Sequence, residues 1–235
     1  MEIKGFVDIS LIDWDQKVSS VIFLPNCNLR CPYCYNTPLV LHPEKLPTIP
    51  FQEVETYLQK NKYWIDGVVI TGGEPTLHSD LPNLCQNLKK LNLLIKLDTN
   101  GTNPKIVEEL LSKELVDYIA MDVKAPLTEQ KYLKASGTHT KQLVEKIKET
   151  TDILIKSPIE YEFRTTLVPT IHHPKDVQEM CHQIKGCKKY VLQNYKTKVE
   201  TINPNFKNLQ PFSEKKMKMF LQTAKKIIPN TIIRG

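Results

Sequence analysis

Six times along this chain a short apolar, β-branched run is followed by a loop and then an amphipathic helix, an alternation that few folds accommodate. The strand-like runs are Val18–Pro25, Asp66–Gly73, Leu94–Thr99, Asp117–Lys124, Glu160–Pro169 and Lys189–Tyr195. The helical patterns are Phe51–Trp64, Leu81–Asn92, Pro104–Leu115, Thr140–Lys156, Pro174–Lys185 and Ser213–Ile228. Successive βα units imply a parallel sheet with right-handed crossovers. The expectation is an α/β fold, a partial (β/α)6 barrel of TIM-like type, with an open sheet as the lesser alternative. Lys4–Trp14 reads as an added edge strand or hairpin. The whole chain, 1–235, reads as one domain: 1–17 an N-terminal extension, 18–196 the six units, and 197–235 a C-terminal helix region. In such sheets the chemistry lies at the carboxyl ends of the strands.

With 40% hydrophobic and 25% charged residues, the chain has the composition of an ordinary globular protein. Its longest apolar runs, such as Val21–Leu24 and Val68–Ile70, fall far short of the roughly 20 residues of a membrane span. No secretory signal is read at Met1, and a cytoplasmic location is expected. The net charge of +6 comes from scattered lysines without interleaved aromatics, which reads as a solvated surface rather than a nucleic-acid face. Lys215, Lys216, Lys218, Lys225 and Lys226 form the wet face of a helix whose other side is Met217, Phe220, Leu221, Ala224, Ile227 and Ile228.

Three of the six cysteines fall within eight residues, as Cys27-Asn-Leu-Arg-Cys31-Pro-Tyr-Cys34, directly after the first of the six strands. Thiolates hold iron–sulfur clusters, and three of them leave one iron of a cubane without a protein ligand. Zinc is the rival reading, but a structural zinc site takes four protein ligands. The nearest fourth is His42, and no second Cys-x2-Cys pair exists. Three unrelated buried thiols are the remaining alternative. Cys85 and Cys181 lie on apolar helix faces and read as core, while Cys187 is in a loop.

Other strand ends also carry chemistry-bearing residues. Gly72-Gly73-Glu74-Pro75 ends the second strand; without side chains the glycines let the backbone approach a ligand, although a plain turn has the same composition. Asp98-Thr-Asn100-Gly101 ends the third strand and Asp122-Val-Lys124 the fourth. Two acids there suit ribose hydroxyls or ammonium groups and a lysine suits a carboxylate, the alternative being strand-end capping. Arg164 interrupts an apolar strand and needs an anion, either a cofactor carboxylate or Glu162, unless it lies at an edge. His172-His173 reads as a surface loop pair, with a polar contribution to the site as the alternative.

The C-x3-C-x2-C triplet with Tyr33 before its last cysteine, followed by the Gly-Gly-Glu-Pro turn, resembles the signature of the radical S-adenosylmethionine superfamily over nearly the whole chain. The resemblance implies a [4Fe–4S] cluster on Cys27, Cys31 and Cys34. It also implies S-adenosyl-L-methionine bound by its amino and carboxylate groups at the fourth iron, and reductive cleavage to a 5′-deoxyadenosyl radical. Gly72, Gly73 and Glu74 would position the methionine ammonium. The Asp-Thr-Asn-Gly and Asp-x-Lys patterns resemble those of pyruvate formate-lyase activating enzyme and its relatives, where they lie around the cofactor and substrate, which implies the same for Asp98, Asn100, Asp122 and Lys124. Tyr33, the aromatic of the cysteine signature, and Arg164, with a cofactor carboxylate as its anion, are expected at the cofactor as well. The backbone of Val191–Gln193 would face the adenine.

Within the superfamily the chain most resembles activating enzymes that install glycyl radicals, and among them the anaerobic ribonucleoside-triphosphate reductase activating proteins. Gly5–Trp14, Lys17, Phe23–Cys27, Cys34–Asn36 and Tyr161–Thr166 carry this resemblance. It implies a glycyl-radical enzyme as protein substrate, a flavodoxin or ferredoxin as electron donor, and low-oxygen conditions. Asp15-Gln16 replaces the Pro-Gly common in these relatives, Tyr35 a frequent His and Asn26 a frequent Gly. The first change falls in a loop expected to face the macromolecular substrate. A small molecule or modified nucleoside precursor is the alternative substrate, and a zinc or electron-transfer protein without turnover the alternative class.

Overall fold

The computed structural model describes residues 1–138, 140 and 142–234. It contains two compact units, one of residues 1–28, 36–99 and 105–120, the other of Leu29–Tyr35, Asn100–Pro104 and Met121–Gly235. The first unit opens with β1 (Gly5–Ser10), β2 (Ser19–Leu24), α1 (Thr37–Leu41), α2 (Phe51–Asn61), β3 (Gly67–Gly72), α3 (Leu81–Lys89) and β4 (Leu94–Thr99). It continues through α4 (Pro104–Ser112) into the first residues of β5 (Tyr118–Asp122). β2, β3 and β4 are parallel neighbours, Leu24 standing opposite Gly72 and Leu97 opposite Ile70. β1 pairs antiparallel with β2, Gly5 opposite Phe23, with an irregular register between Val7 and Ser10.

Parallel strands covered on both faces read as continuous apolar runs, and β2 and β3 are of that kind. Val21, Ile22, Leu24, Val68, Val69 and Ile70 are all fully buried. α2 and α3 bury Val54, Leu58, Leu81, Leu84, Cys85 and Leu88 on their apolar stripes. On the other face, Trp14 packs with Val21 and Val69, and its ring meets that of Tyr118 at 5.9 Å.

The second unit comprises α5 (Glu129–Ser136), α6 (Leu143–Lys156), β6 (Glu160–Leu167), α7 (Pro174–Gln183), β7 (Tyr190–Asn194), α8 (Glu214–Lys225) and β8 (Thr231–Arg234). β6, β7 and β8 are parallel, with Val191 opposite both Arg164 and Ile232. The fold class is therefore the expected α/β one with parallel strands. α8 buries Met217, Phe220 and Ala224 and leaves Lys215, Lys218, Lys225 and Lys226 exposed.

Three elements were absent from the sequence pattern. α1 has five residues and α5 buries only Tyr132, Ala135 and Ser136, so neither shows a helical period; β8 is a four-residue strand within what reads as a helix region. All six helices of the sequence pattern are shorter than their patterns, two of them with visible consequences. α2 ends at Asn61, leaving Tyr63 and Trp64 exposed, and α6 begins at Leu143 rather than Thr140, with Lys141 outside the described residues.

β8 is anchored by charge. Both terminal guanidinium nitrogens of Arg234 donate to Glu162, at 2.6 and 2.8 Å, and Glu162 is 1% exposed. Removing one partner of a buried pair costs far more than the pair contributes net. Arg234→Ala should lower the unfolding free energy by about 3 kcal/mol in a urea titration, and a loss under about 1 kcal/mol would contradict this anchoring.

Candidate functional site

The sequence-derived candidates lie at or just after strand ends, except Arg164, which sits within β6. Cys27 follows β2 in the first unit, while Cys31, Tyr33 and Cys34 belong to the second. Gly72, Gly73, Glu74 and Asp98 lie in the first unit, and Asn100, Asp122, Lys124 and Arg164 in the second.

In the first unit the chain entering Cys27 is bonded to the glycine turn. Gly73 N–H donates to Leu24 O at 2.9 Å and Glu74 N–H to Asn26 O at 2.7 Å. A Cβ on Gly73 would fall 1.8 Å from Asn26 O, and one on Gly72, whose φ is +124°, 2.2 Å from Leu24 O. The glycines are thus required by the approach of two backbone segments, a packing reason that the sequence reading assigned to a ligand. Asn36 Nδ2 donates to Gly72 O at 2.7 Å, and His78 Nε2 bonds Pro25 O at 2.8 Å.

Glu74 is not the solvated loop acid its position suggests. It is 1% exposed, and its Oε1 accepts from Thr76 N–H at 3.1 Å, Thr76 Oγ1 at 2.6 Å and Thr99 Oγ1 at 2.7 Å. Asp98 faces Lys96 Nζ at 3.2 Å. Lys96 is 2% exposed and also donates to Asp13 O. The sequence reading missed Lys96. Its signal was a cation inside Leu94-Ile-Lys-Leu97, two residues before Asp98 and so on the same strand face.

In the second unit Cys31 N-terminally flanks a tight turn, with Cys34 N–H donating to Cys31 O at 3.0 Å. Residues 202 and 203 clasp this turn, Ile202 N–H on Cys34 O and Asn203 N–H on Pro32 O. Arg30 N–H donates to Ser136 O at 2.9 Å beside Gly137, which closes α5 in the left-handed conformation. Tyr33 is buried; that burial, reinforced by Cys31, pushes its phenol well above the ordinary value and keeps it neutral.

Asp122, Lys124 and Arg164 form one charge cluster. Arg164 Nε donates to Asp122 Oδ1 at 3.0 Å and Lys124 Nζ to Asp122 Oδ2 at 3.2 Å. The intrachain anion for Arg164 is thus Asp122, while Glu162 pairs with Arg234 and Lys189. Burial alone would raise Asp122, but Lys124 and Arg164 outweigh it and hold the carboxyl below its ordinary value. Burial likewise opposes the Lys124 ammonium, yet Asp122, then Cys31 and Tyr33, push it well above the ordinary value. Asn100 is buried with its Oδ1 accepting from Thr102 N–H at 3.0 Å and Thr102 Oγ1 at 2.6 Å. The backbone of Val191–Gln193 is in register with both β6 and β8.

His172 corrects the surface-loop expectation. It is 1% exposed and bonds Val168 N–H and Lys124 O; only His173 is exposed, at the start of α7. Cys85 and Cys181 are fully buried, as read, and Cys187 is half-buried. Among the described residues no group of three His, Cys, Asp or Glu side chains stands at metal-binding distance, so a cluster assignment rests on the donor set and the family. No helix among the described residues is long and apolar enough to cross a membrane.

The family model of the radical SAM superfamily matches residues 21–184, spanning both the cysteine triplet and the charge cluster. The chain belongs to the radical SAM superfamily. As a member it is an enzyme of a family that uses S-adenosylmethionine and a [4Fe–4S] cluster. It is 34% identical over 233 residues to a Methanocaldococcus jannaschii protein provisionally named a glycyl-radical enzyme activating enzyme, covering 99% of this chain and 95% of that one. A Methanococcus aeolicus protein named as a probable GTP 3′,8-cyclase is 29% identical over 164 residues, 68% of this chain and 54% of its own length. Among solved structures, Streptococcus suis SuiB bound to S-adenosylmethionine superposes with a TM-score of 0.68 over 92% of this chain at 16% identity, which shows a shared fold. The chain spans about half the length of SuiB, 52%.

Replacing Asp122 by Asn would leave two cations facing each other. Because the carboxylate is 35% exposed, solvent screening limits the cost to about 1–2 kcal/mol at pH 7. A carboxyl lowered in the folded state contributes stability above its unfolded value, near pH 4, and loses it as pH falls through the folded value. The stability difference between wild type and Asp122→Asn, followed by urea unfolding from pH 7 to pH 3, should be full down to about pH 4 and shrink below it. A difference independent of pH would contradict the pairing.

Proposed function

We propose that this radical SAM enzyme, acting as a single catalytic domain over residues 1–235, holds one [4Fe–4S] cluster on Cys27, Cys31 and Cys34 and generates a glycyl radical on a partner enzyme. The donor set fits: three thiols on one loop are the ligands such a cluster takes while leaving one iron to another ligand. Held by Cys27, Cys31 and Cys34, the cluster would supply the one-electron reduction by which S-adenosylmethionine is cleaved. The observation that carries the reading is the bond between the cysteine loop and the glycine turn, Glu74 N–H on Asn26 O beside Cys27. It ties the thiol loop to the turn that offers backbone to the methionine ammonium.

The remaining roles belong to this chain's own groups. Glu74 supplies buried negative charge near that ammonium. Asp98 and Asp122 suit ribose hydroxyls, Asn100 shapes the turn after it through its bonds to Thr102, and Lys124 and Arg164 suit the methionine carboxylate. Tyr33, buried and neutral, walls the thiol loop. A flavodoxin or ferredoxin supplies the electron. The activase assignment follows the relative aligned over nearly both full lengths. A second reading, the same chemistry on a nucleotide-derived small molecule, has support from the partial similarity to a probable GTP 3′,8-cyclase and to a 7-carboxy-7-deazaguanine synthase of Neisseria meningitidis, 32% identical over 113 residues.

Anaerobic reconstitution should load about four irons per chain and, on reduction, release 5′-deoxyadenosine, with both lost in Cys31→Ala. Adding a candidate glycyl-radical enzyme should give a carbon-centred radical signal by spin resonance. Cofactor cleavage with no such signal on any glycyl-radical protein, and with product formed from a nucleotide, would decide for the second reading.

A further inference from the structure

β5 stops at Asp122, so the backbone groups of Val123 and Lys124 leave the regular ladder at the point where the charge cluster begins. Buried main-chain groups need partners, and here each partner can be named. Val123 N–H donates to Arg164 O at 2.8 Å, and Val123 O accepts from Thr165 Oγ1 at 2.7 Å. Lys124 N–H donates to Tyr132 Oη at 3.4 Å, and Lys124 O bonds His172 Nε2 at 2.8 Å.

The two nitrogens of His172 cannot exchange roles. Val168 N–H donates to Nδ1 at 2.9 Å, so Nδ1 is the acceptor and the proton resides on Nε2, aimed at Lys124 O. His172 N–H in turn donates to Val168 O at 2.8 Å, closing residues 168–172 into a ring that holds the imidazole edge-on. Burial, opposed by the Lys124 carbonyl and Asp176, pulls the imidazole below its ordinary value and favours this neutral form. α7 is fastened behind it, Lys131 of α5 bridging Asp176 at 2.9 Å and Glu179 at 2.5 Å.

We propose that His172 is a positioning residue of the cofactor site: through the Lys124 carbonyl it fixes the ammonium of Lys124 against Asp122, in place for an incoming carboxylate. The inference rests on the carboxylate role given to Lys124 above. Its core, the hold on Lys124, is measurable without any cofactor. Oriented groups behind a ligand-binding residue tune it as strongly as direct contacts do, and losing them costs about 10-fold or more in affinity.

Two substitutions divide the relay. His172→Asn places its amide oxygen near the Nδ1 position and keeps an acceptor for Val168 N–H but does not reach Lys124 O. His172→Gln places an amide N–H near the Nε2 position and keeps the donor to Lys124 O. In the full-length apo chain, lysine acetylation mapped by peptide mass spectrometry should show Lys124 labelled about 5-fold faster in His172→Asn, with Lys215 and Lys218 unchanged and His172→Gln close to wild type. In reconstituted enzyme, His172→Asn should raise the KM for S-adenosylmethionine about 10-fold with kcat little changed, and His172→Gln should restore it. Unchanged Lys124 labelling in His172→Asn, or equal defects in both variants, would overturn the proposal. Should His172→Asn fail to fold, Tyr132→Phe removes the other side-chain hold on Lys124; faster Lys124 labelling there supports the backbone clamp, and unchanged labelling overturns it. Wild-type protein that cleaves no S-adenosylmethionine sinks the functional reading, while the labelling rates still decide the hold on Lys124.

Discussion

Two backbone segments approach each other so closely that no side chain fits between them, and the geometry of the cysteine loop starts from that contact. Leu24 and Asn26 carbonyls accept from Gly73 and Glu74 amides, and a Cβ on either glycine would collide with those carbonyls. The neighbouring groups are paired as well: Asn26 N–H donates to Leu39 O at 2.8 Å, Asn36 holds Gly72 O, and His78 holds Pro25 O. Asn26 adopts a φ of +65°, a conformation Asn tolerates better than most residues, which explains how it stands where relatives often have Gly. The direction in which the chain enters Cys27 is therefore dictated by the parallel pairing of β2 with β3, two strands with fully buried cores.

In the second unit the ordering agent is charge rather than close backbone packing. One carboxylate, Asp122, serves two cations, and the arrangement carries one excess positive charge among Asp122, Lys124 and Arg164. On the function proposed above, an incoming carboxylate would meet positive charge there. In the same unit the buried carboxylate of Glu162 pairs with Arg234 and Lys189.

The parallel strands and their helices were legible because buried strands advertise themselves as unbroken β-branched runs, and helices such as α3 carry a wide apolar stripe. α5 was invisible because it buries so few side chains, and with it went Tyr132, the partner of Lys124 N–H. His172 was read as a loop residue because local sequence does not reveal that a residue past a strand end turns inward to a carbonyl 48 positions away. Asp122 as a partner of Arg164 was not legible for a similar reason: Glu162, the candidate two residues away, pairs with the late Arg234, while Asp122 arrives from the adjacent strand. Glu74 and the glycines were explained incompletely, since burial under Thr76 and Thr99 and contact with Asn26 follow from strand pairing.

The central claim is that three thiols from one loop leave a single iron for the amino and carboxylate groups of S-adenosylmethionine. Mössbauer spectroscopy of the ⁵⁷Fe-reconstituted protein, recorded with and without S-adenosylmethionine, addresses it directly. The account predicts that the cofactor shifts the isomer shift and quadrupole splitting of about one iron in four and leaves the others unchanged. Spectra identical with and without the cofactor, or a metal ligated entirely by protein, would contradict it.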